Sequence, residues 1–217
     1  MKVAKYLLPH ETIRTDILIS QNLRSINRNF PKFKEFVNRH KNIRICALQE
    51  TWSSKFQHKI DGFQPLIERQ RTTRRGGGVG FYLEDSVKYS IVNSPFLEGS
   101  VETMCIDVKI GMKKSIRVIN IYRTPESDVA DLLRTIPDLP FSQKYPNIVV
   151  GDINVNIEDI RQQGLIETFA EYGLASLVDI PTRVGTRQKD GELVTTAPVI
   201  DHVYTNIKLA KAYVNWI

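Results

Sequence analysis

The chain has 217 residues, 41% hydrophobic and 25% charged, an ordinary globular balance that excludes wholesale disorder and is long enough for a sizeable core. Thirty Lys and Arg against 24 Asp and Glu leave +6, and no apolar run reaches the roughly 18 residues of a membrane-spanning helix. The charge is uneven: residues 1–75 carry sixteen basic and six acidic side chains while the rest is net acidic, which suits an anionic partner if the basic part surrounds a site that handles phosphate.

Met1–Glu11 lacks the apolar core of a secretory signal. Cys46 and Cys105 sit among apolar residues and read as buried reduced thiols, without zinc-site spacing to any histidine. The expectation is an intracellular protein that is not secreted and does not enter a membrane; a choice of nuclear over cytoplasmic would follow only from a family resemblance, not from these residues. No repeat or Gly/Ser/Pro-rich linker divides the chain, so residues 1–217 are expected to form one domain.

Asp16–Asn22 predicts a buried strand, and Asn29-Phe30-Pro31 opens a helix whose apolar stripe is Phe33, Phe36 and Val37. Ile43–Glu50 is the next strand, and the strand–helix–strand order predicts parallel pairing. The middle is β-rich, with closely spaced strands at Val79–Leu83, Val87–Val92, Val101–Ile110 and Ser115–Tyr122, for which antiparallel pairing is the expectation. In the third of these, Thr103, Cys105, Asp107 and Lys109 alternate with Met104, Ile106, Val108 and Ile110, a half-buried pattern. Asp128–Ile136 reads as a short helix, Asn147–Asp152 as a buried strand and Gln162–Tyr172 as a helix stopped by Gly173. Val199–Tyr204 is a further strand, and Lys211–Ile217 begins one more. Mixed sheets packed face to face, with helices outside, follow from this order.

Five of these strands end in polar residues: Asn22, Glu50, Tyr122, Asp152 with Asn154, and Asp201. Ligands of open α/β sheets collect beyond the carboxyl ends of strands, so the five endings can build one site. Carboxylate and amide oxygens suit Mg²⁺ or Mn²⁺ rather than zinc. On an extended segment, Asp152 and Asn154 point to one face, one to hold or activate water and the other to hold substrate oxygen. Tyr122 can donate to phosphate. Together these are the parts that phosphoryl transfer needs. Singly, each has a plainer reading: Glu50 a solvated charge, Gly151-Asp152-Ile153-Asn154 a turn, Tyr122 a core ring, Asp201-His202 the start of a loop. Thr72–Gly80 resembles a phosphate loop only in its glycines, because it lacks the Lys-Ser/Thr pair and precedes a strand. It reads as a basic turn from which Arg74 and Arg75 touch nucleic-acid backbone; Trp52 separately reads as a packed ring ahead of one that stacks on a base.

As an ordered set, Ile19–Asn22, Leu48–Trp52, Arg75–Gly80, Ile121–Pro125, Gly151–Asn154 and Ile200–His202 resemble the endonuclease/exonuclease/phosphatase superfamily. Pro181-Thr182-Arg183 ahead of Ile200–Asn206 resembles the endonuclease domain of non-LTR (LINE-type) retrotransposons in particular. The resemblance spans about residues 16 to 206. It implies a four-layer α/β sandwich of two mixed β-sheets flanked by helices, and Mg²⁺-dependent nicking of DNA that leaves a 3′-hydroxyl for a reverse transcriptase domain of the same polyprotein. It implies metal binding by Glu50 with Asn22 assisting, and phosphate contact by Tyr122. Asp152 would orient or activate water, Asn154 would hold phosphate or metal-shell oxygen, and Asp201 falls at the late acidic position. Thr182 matches a substrate-contacting threonine, and Glu102 a supporting strand glutamate.

The family closes with a Ser-Asp-His motif on a later strand. The sequence reaches Ile217 without it, and His202 is a poor substitute. The expectation is a domain cut short of its C-terminal strand, a fragment of a longer polyprotein or a decayed copy, with one sheet edge unpaired. Three functions stay open: a retroelement endonuclease, a same-fold phosphatase or phosphodiesterase on another phosphoester, and a catalytically impaired remnant that binds DNA.

Overall fold

The computed structural model describes residues 2–8, 16–52, 58–73, 75–110, 114–159, 164–189, 192–208 and 210–216. In chain order the elements are β1 (Lys2–Leu8), β2 (Asp16–Asn22), α1 (Ile26–Arg39), β3 (Ile43–Gln49), β4 (Ile67–Arg69), β5 (Val79–Leu83), β6 (Tyr89–Val92) and β7 (Phe96–Leu97). There follow β8 (Val101–Ile110), β9 (Lys114–Arg123), α2 (Val129–Thr135), β10 (Asn147–Asp152), α3 (Gly164–Glu171), β11 (Ala175–Ser176), β12 (Gly185–Lys189), β13 (Glu192–Thr196), β14 (Asp201–Thr205) and β15 (Lys211–Trp216).

The strands form a six-stranded sheet, β15-β1-β2-β3-β5-β4, and a second sheet, β11-β14-β10-β9-β8-β6, with β7 also on β8. Each sheet is mixed: β2 runs parallel to β3 around the α1 crossover, and β9 runs parallel to β10, while the other pairs are antiparallel. The β12–β13 hairpin stands apart from both sheets.

The two-residue period of the strands sorts their side chains into layers. Leu18, Ile45, Ala47, Val79 and Phe81 of the first sheet meet Met104, Ile106, Val118, Val150 and Val203 of the second in a central core. Ile17, Ile19, Cys46, Leu48 and Tyr82 face the other way and pack under Phe33, Phe36 and Val37 of α1. Cys105, Ile119, Ile121, Val149 and Tyr204 do the same under Leu132 of α2 and Leu165 and Phe169 of α3. The result is the expected four-layer α/β sandwich of two mixed sheets flanked by helices.

Three local expectations change. Helix α1 begins at Ile26, with Pro31 inside it. It starts early because the Ser25 and Ile26 N–H groups donate to the carbonyls of Glu50 and Thr51 at 2.9 Å each, which satisfies donors a helix start leaves open. Strand β8 is buried on both faces from Val101 to Ile106, because α2 covers the face assigned to solvent. The first sheet extends beyond β2 with β1, which no sequence pattern announced, and β15 pairs on β1 with Lys2 opposite Trp216. Part of the predicted helix start, Gln162, lies outside the described residues. Among the described residues no helix is long and apolar enough to cross a membrane.

Candidate active site

The sheets bring the polar strand ends to one end of the sandwich. In the second sheet, Glu102 pairs across from Tyr122, Tyr122 lies beside Asp152, and Asp152 pairs with Asp201. Residues in register share a face, so these four form one row on the inner face, directly above the apolar core. The first sheet contributes Asn22 at the end of β2 and Glu50 just past β3. The next row down carries a polar bridge between the sheets. Gln49 Nε2 donates to Asn120 Oδ1 at 2.6 Å and to Ser20 Oγ at 3.1 Å, and Asn120 Nδ2 donates to the carbonyls of Leu48 and Gly80 at 2.9 and 3.1 Å. Gln49 and Asn120 are both fully buried, so this bridge fixes how one sheet sits over the other at the site.

The Asn22 amide joins the two halves. Its Nδ2 donates to Glu50 Oε1 at 2.6 Å and to Asp152 Oδ2 at 2.5 Å. Glu50 Oε2 accepts from Trp52 Nε1 at 3.2 Å. The other Asp152 oxygen, Oδ1, is buried with no hydrogen-bond partner among the described residues. Burial and the nearby Asp201 and Glu50 carboxylates raise the Asp152 pKa, against the Asn22 hydrogen bond, which lowers it. Burial, with Glu50 and Asp152 adding to it, likewise pushes the Tyr122 phenol up.

Backbone strain gathers at the same end. Among the described residues the non-glycine positions with positive φ are Arg24, Ser25, Glu50, Trp52 and Asn154, all in the segments that leave β2, β3 and β10. The strand after Gly151 therefore does not stay extended to Asn154 as expected: β10 stops at Asp152, and Asn154 turns at φ +54°. Buried Arg123 holds that turn, with Nε on the Ile153 carbonyl at 2.8 Å and Nη2 on the Asn154 carbonyl at 2.7 Å. Asn154 Nδ2 returns a bond to the Arg123 carbonyl at 2.8 Å.

The remaining residues take various places. Thr182 is buried, and its hydroxyl accepts from the Ile200 and Asp201 N–H groups at 2.9 and 3.0 Å, so it fixes the start of β14. Arg75 is exposed and lies over the Trp52 ring at 5.8 Å; Arg74 lies outside the described residues. Glu102 is fully buried; it accepts from the Gly78 N–H at 2.6 Å and from Arg71 Nε. His202 faces the helices, with Nε2 on the Val155 carbonyl at 2.8 Å, and does not reach the site. Arg71, Arg123, Gln49 and Asn120 were not singled out in the sequence. A glutamate in the inward phase of a buried strand, as at Glu102, was the available signal that a cation such as Arg71 must meet it.

A cleft of about 480 Å³ opens beside this row, lined by Asn22, Arg24, Lys32, Asp152, Arg183 and Asp201. Its donor set fits a hard divalent cation: two carboxylates converge on one amide, and one carboxylate oxygen has no partner. Among the described residues no group of three His, Cys, Asp or Glu could hold a metal on its own.

No family model matches the chain, and no curated protein does. Solved structures do match it. ANGEL2, a 2′,3′-cyclic phosphatase, superposes with a TM-score of 0.62 at 12% identity over 98% of this chain and 87% of that one. The 3′ phosphatase NExo from Neisseria, bound to a product DNA hairpin, gives 0.60 at 16% identity over 88% and 86%. An endonuclease/exonuclease/phosphatase family protein from Leptotrichia buccalis gives 0.56 at 12% identity over 88% of each. The chain shares the fold of the endonuclease/exonuclease/phosphatase proteins.

Proposed function

We propose that the chain hydrolyses a phosphodiester of DNA with the aid of a divalent cation. The observation that carries this is the Asn22 amide bridging Glu50 and Asp152, with Asp152 Oδ1 unpartnered at the head of the Glu102–Tyr122–Asp152–Asp201 row. Its fold is that of proteins described as a cyclic phosphatase and a DNA 3′ phosphatase, which supports phosphoester chemistry.

Glu50, with Asn22 beside it, would hold Mg²⁺ or Mn²⁺. When bound, the ion supplies charge neutralisation on the phosphoryl oxygens. Asp152 takes a proton from water as the water oxygen bonds to phosphorus and the ester oxygen leaves with the electrons of the broken P–O bond. Burial holds its pKa above that of an exposed aspartate in the metal-free chain. Tyr122 would donate to a phosphoryl oxygen, and Asn154, in the turn held by Arg123, would hold a phosphate or metal-shell oxygen. Asp201 adjoins Asp152 in register and adds to its basicity. Arg75, over the Trp52 ring, would meet nucleic-acid backbone, as would Arg74 from its place in the sequence, and Thr182 supports the Asp201 backbone. The finer reading, an endonuclease domain of a non-LTR retrotransposon working with a reverse transcriptase domain, rests on the ordered motifs and on Pro181-Thr182-Arg183.

Supercoiled plasmid incubated with Mg²⁺ or Mn²⁺ should be nicked, the nick should carry a 3′-hydroxyl that a polymerase extends, and Asp152→Ala should abolish it. Nicking that survives Asp152→Ala refutes the assignment. A second reading, a remnant that binds DNA without cleaving it, is favoured by one observation: His40, His58 and His202 are all engaged away from the site. Salt-dependent DNA binding with no nicking in either metal selects it.

A further inference from the structure

Arg71 has no place in the chemistry above, yet it is built into the same end of the sandwich. Its side chain is 6% exposed and its partner Glu102 is fully buried. Elsewhere in the molecule Arg117 meets Asp107 with both prongs of its fork, Nε to Oδ1 at 2.7 Å and Nη2 to Oδ2 at 2.8 Å. Arg71 does not do this. Glu102 Oε1 accepts from Arg71 Nε and from the Gly99 N–H, and Oε2 is taken by the Gly78 N–H. The second prong, Arg71 Nη2, is left buried with no hydrogen-bond partner among the described residues. Native proteins seldom leave a buried donor open without a use for it.

The position of that open donor is informative. Glu102 lies directly across from Tyr122, the neighbour of Asp152 in the row. The Arg71 guanidinium carbon is 6.0 Å from the centre of the Tyr122 ring. The glycine turn closes over it: a Cβ on Gly77 would overlap both Arg71 and Glu102, and positive φ at Gly76, Gly77 and Gly78 lets the backbone come that close. Glu102 and the turn thus hold the guanidinium through Nε and leave Nη2 open. A planar fork with a free N–H edge is matched by phosphate oxygens.

We infer that Arg71 is a substrate-binding residue whose Nη2 donates to a non-bridging oxygen of the phosphate undergoing hydrolysis. This rests on the phosphoester reading of the site and adds a cation to it from the glycine-turn side. The competing role is purely structural, an ion pair that only pins the turn.

Inorganic phosphate is the probe. In calorimetric titrations of the full chain with Mg²⁺ present, Arg71→Lys, which keeps the charge but not the fork, should weaken phosphate binding at least about tenfold. The neutral double variant Arg71→Met/Glu102→Gln should lose it to a similar extent while remaining folded by circular dichroism. On the wild-type chain, the guanidinium resonance of Arg71 in ¹⁵N-arginine spectra should shift on phosphate addition, a readout that does not depend on any variant folding. Phosphate binding within twofold of wild type in the folded variants, an unmoved Arg71 resonance at saturation, or no phosphate binding by the wild type each overturns the inference. Nicking that still depends on Asp152 in those cases would leave the catalytic reading standing, whereas nicking indifferent to Asp152 would remove that reading by itself.

Discussion

Replacing Asn120 with Leu tests whether the two sheets are tied together under the site by the polar bridge. Leucine is close to asparagine in size and would sit among the same apolar neighbours, so the cost is chiefly that of lost hydrogen bonds. Asn120 accepts from Gln49 at 2.6 Å and donates to Leu48 and Gly80 carbonyls at 2.9 and 3.1 Å, all out of water. Gln49 would keep only its bond to Ser20 at 3.1 Å. The two carbonyls already serve the β3–β5 ladder, so most of the penalty falls on the stranded Gln49 amide. At about 1 kcal/mol per bond plus the desolvation of one open donor, the loss is about 2–4 kcal/mol. With a urea slope of about 2 kcal/mol/M, the unfolding midpoint falls by about 1–2 M. The companion variant Gln49→Met/Asn120→Leu removes both partners together and should cost less than the sum of the single changes. A single variant within about 0.5 kcal/mol of wild type, or strictly additive changes, would mean that the bridge does not tie the sheets.

Gly151→Ala should fail to give folded protein or lose about 4 kcal/mol or more, since its Cβ would overlap the Ile121 carbonyl of the neighbouring strand at φ +153°; a soluble variant with wild-type melting contradicts this. Asp152→Asn should raise the melting temperature in chelator while abolishing nicking. An acid whose pKa is raised on folding opposes stability as pH climbs above its unfolded pKa, so the gain should be larger at pH 8 than at pH 5; an equal or reversed gain counts against it. His202 is buried and neutral, with its pKa lowered to about 4 by burial. Its contribution is present above the unfolded pKa near 6.5 and is lost as pH falls toward 4, by roughly 3 kcal/mol. A His202→Phe variant should lack that part of the acid transition in pH-dependent urea melts.

Much of the site could be read in the sequence because strands impose a period of two. Once Asn147–Asp152 and Ser115–Tyr122 are strands, Asp152 and Tyr122 must share a side with Val150 and Val118. Pairing register could not be read that way, and register is what sets Glu102, Tyr122, Asp152 and Asp201 side by side. Arg71 was hidden for another reason. It sits in a run of basic and polar residues with no apolar period, and its partner is 31 positions away. The β12–β13 hairpin, with Thr186 opposite Thr195 and Leu193 exposed, has no buried side chain among its described residues to betray it. Asn154 was placed on an extended segment because side-chain spacing cannot foresee a left-handed turn held by an arginine from another strand.

Because Glu102, Tyr122, Asp152 and Asp201 occupy a single rung of the second sheet, the proposed site depends on strand length as much as on residue identity. One residue inserted into or deleted from β9 or β10 would rotate Tyr122 or Asp152 toward the helices and bring Ile121, Arg123, Gly151 or Ile153 into the rung instead. Frame-preserving indels in these two strands should therefore silence the site as completely as replacing the aspartate itself, whereas indels in the β12–β13 hairpin should leave the rung untouched.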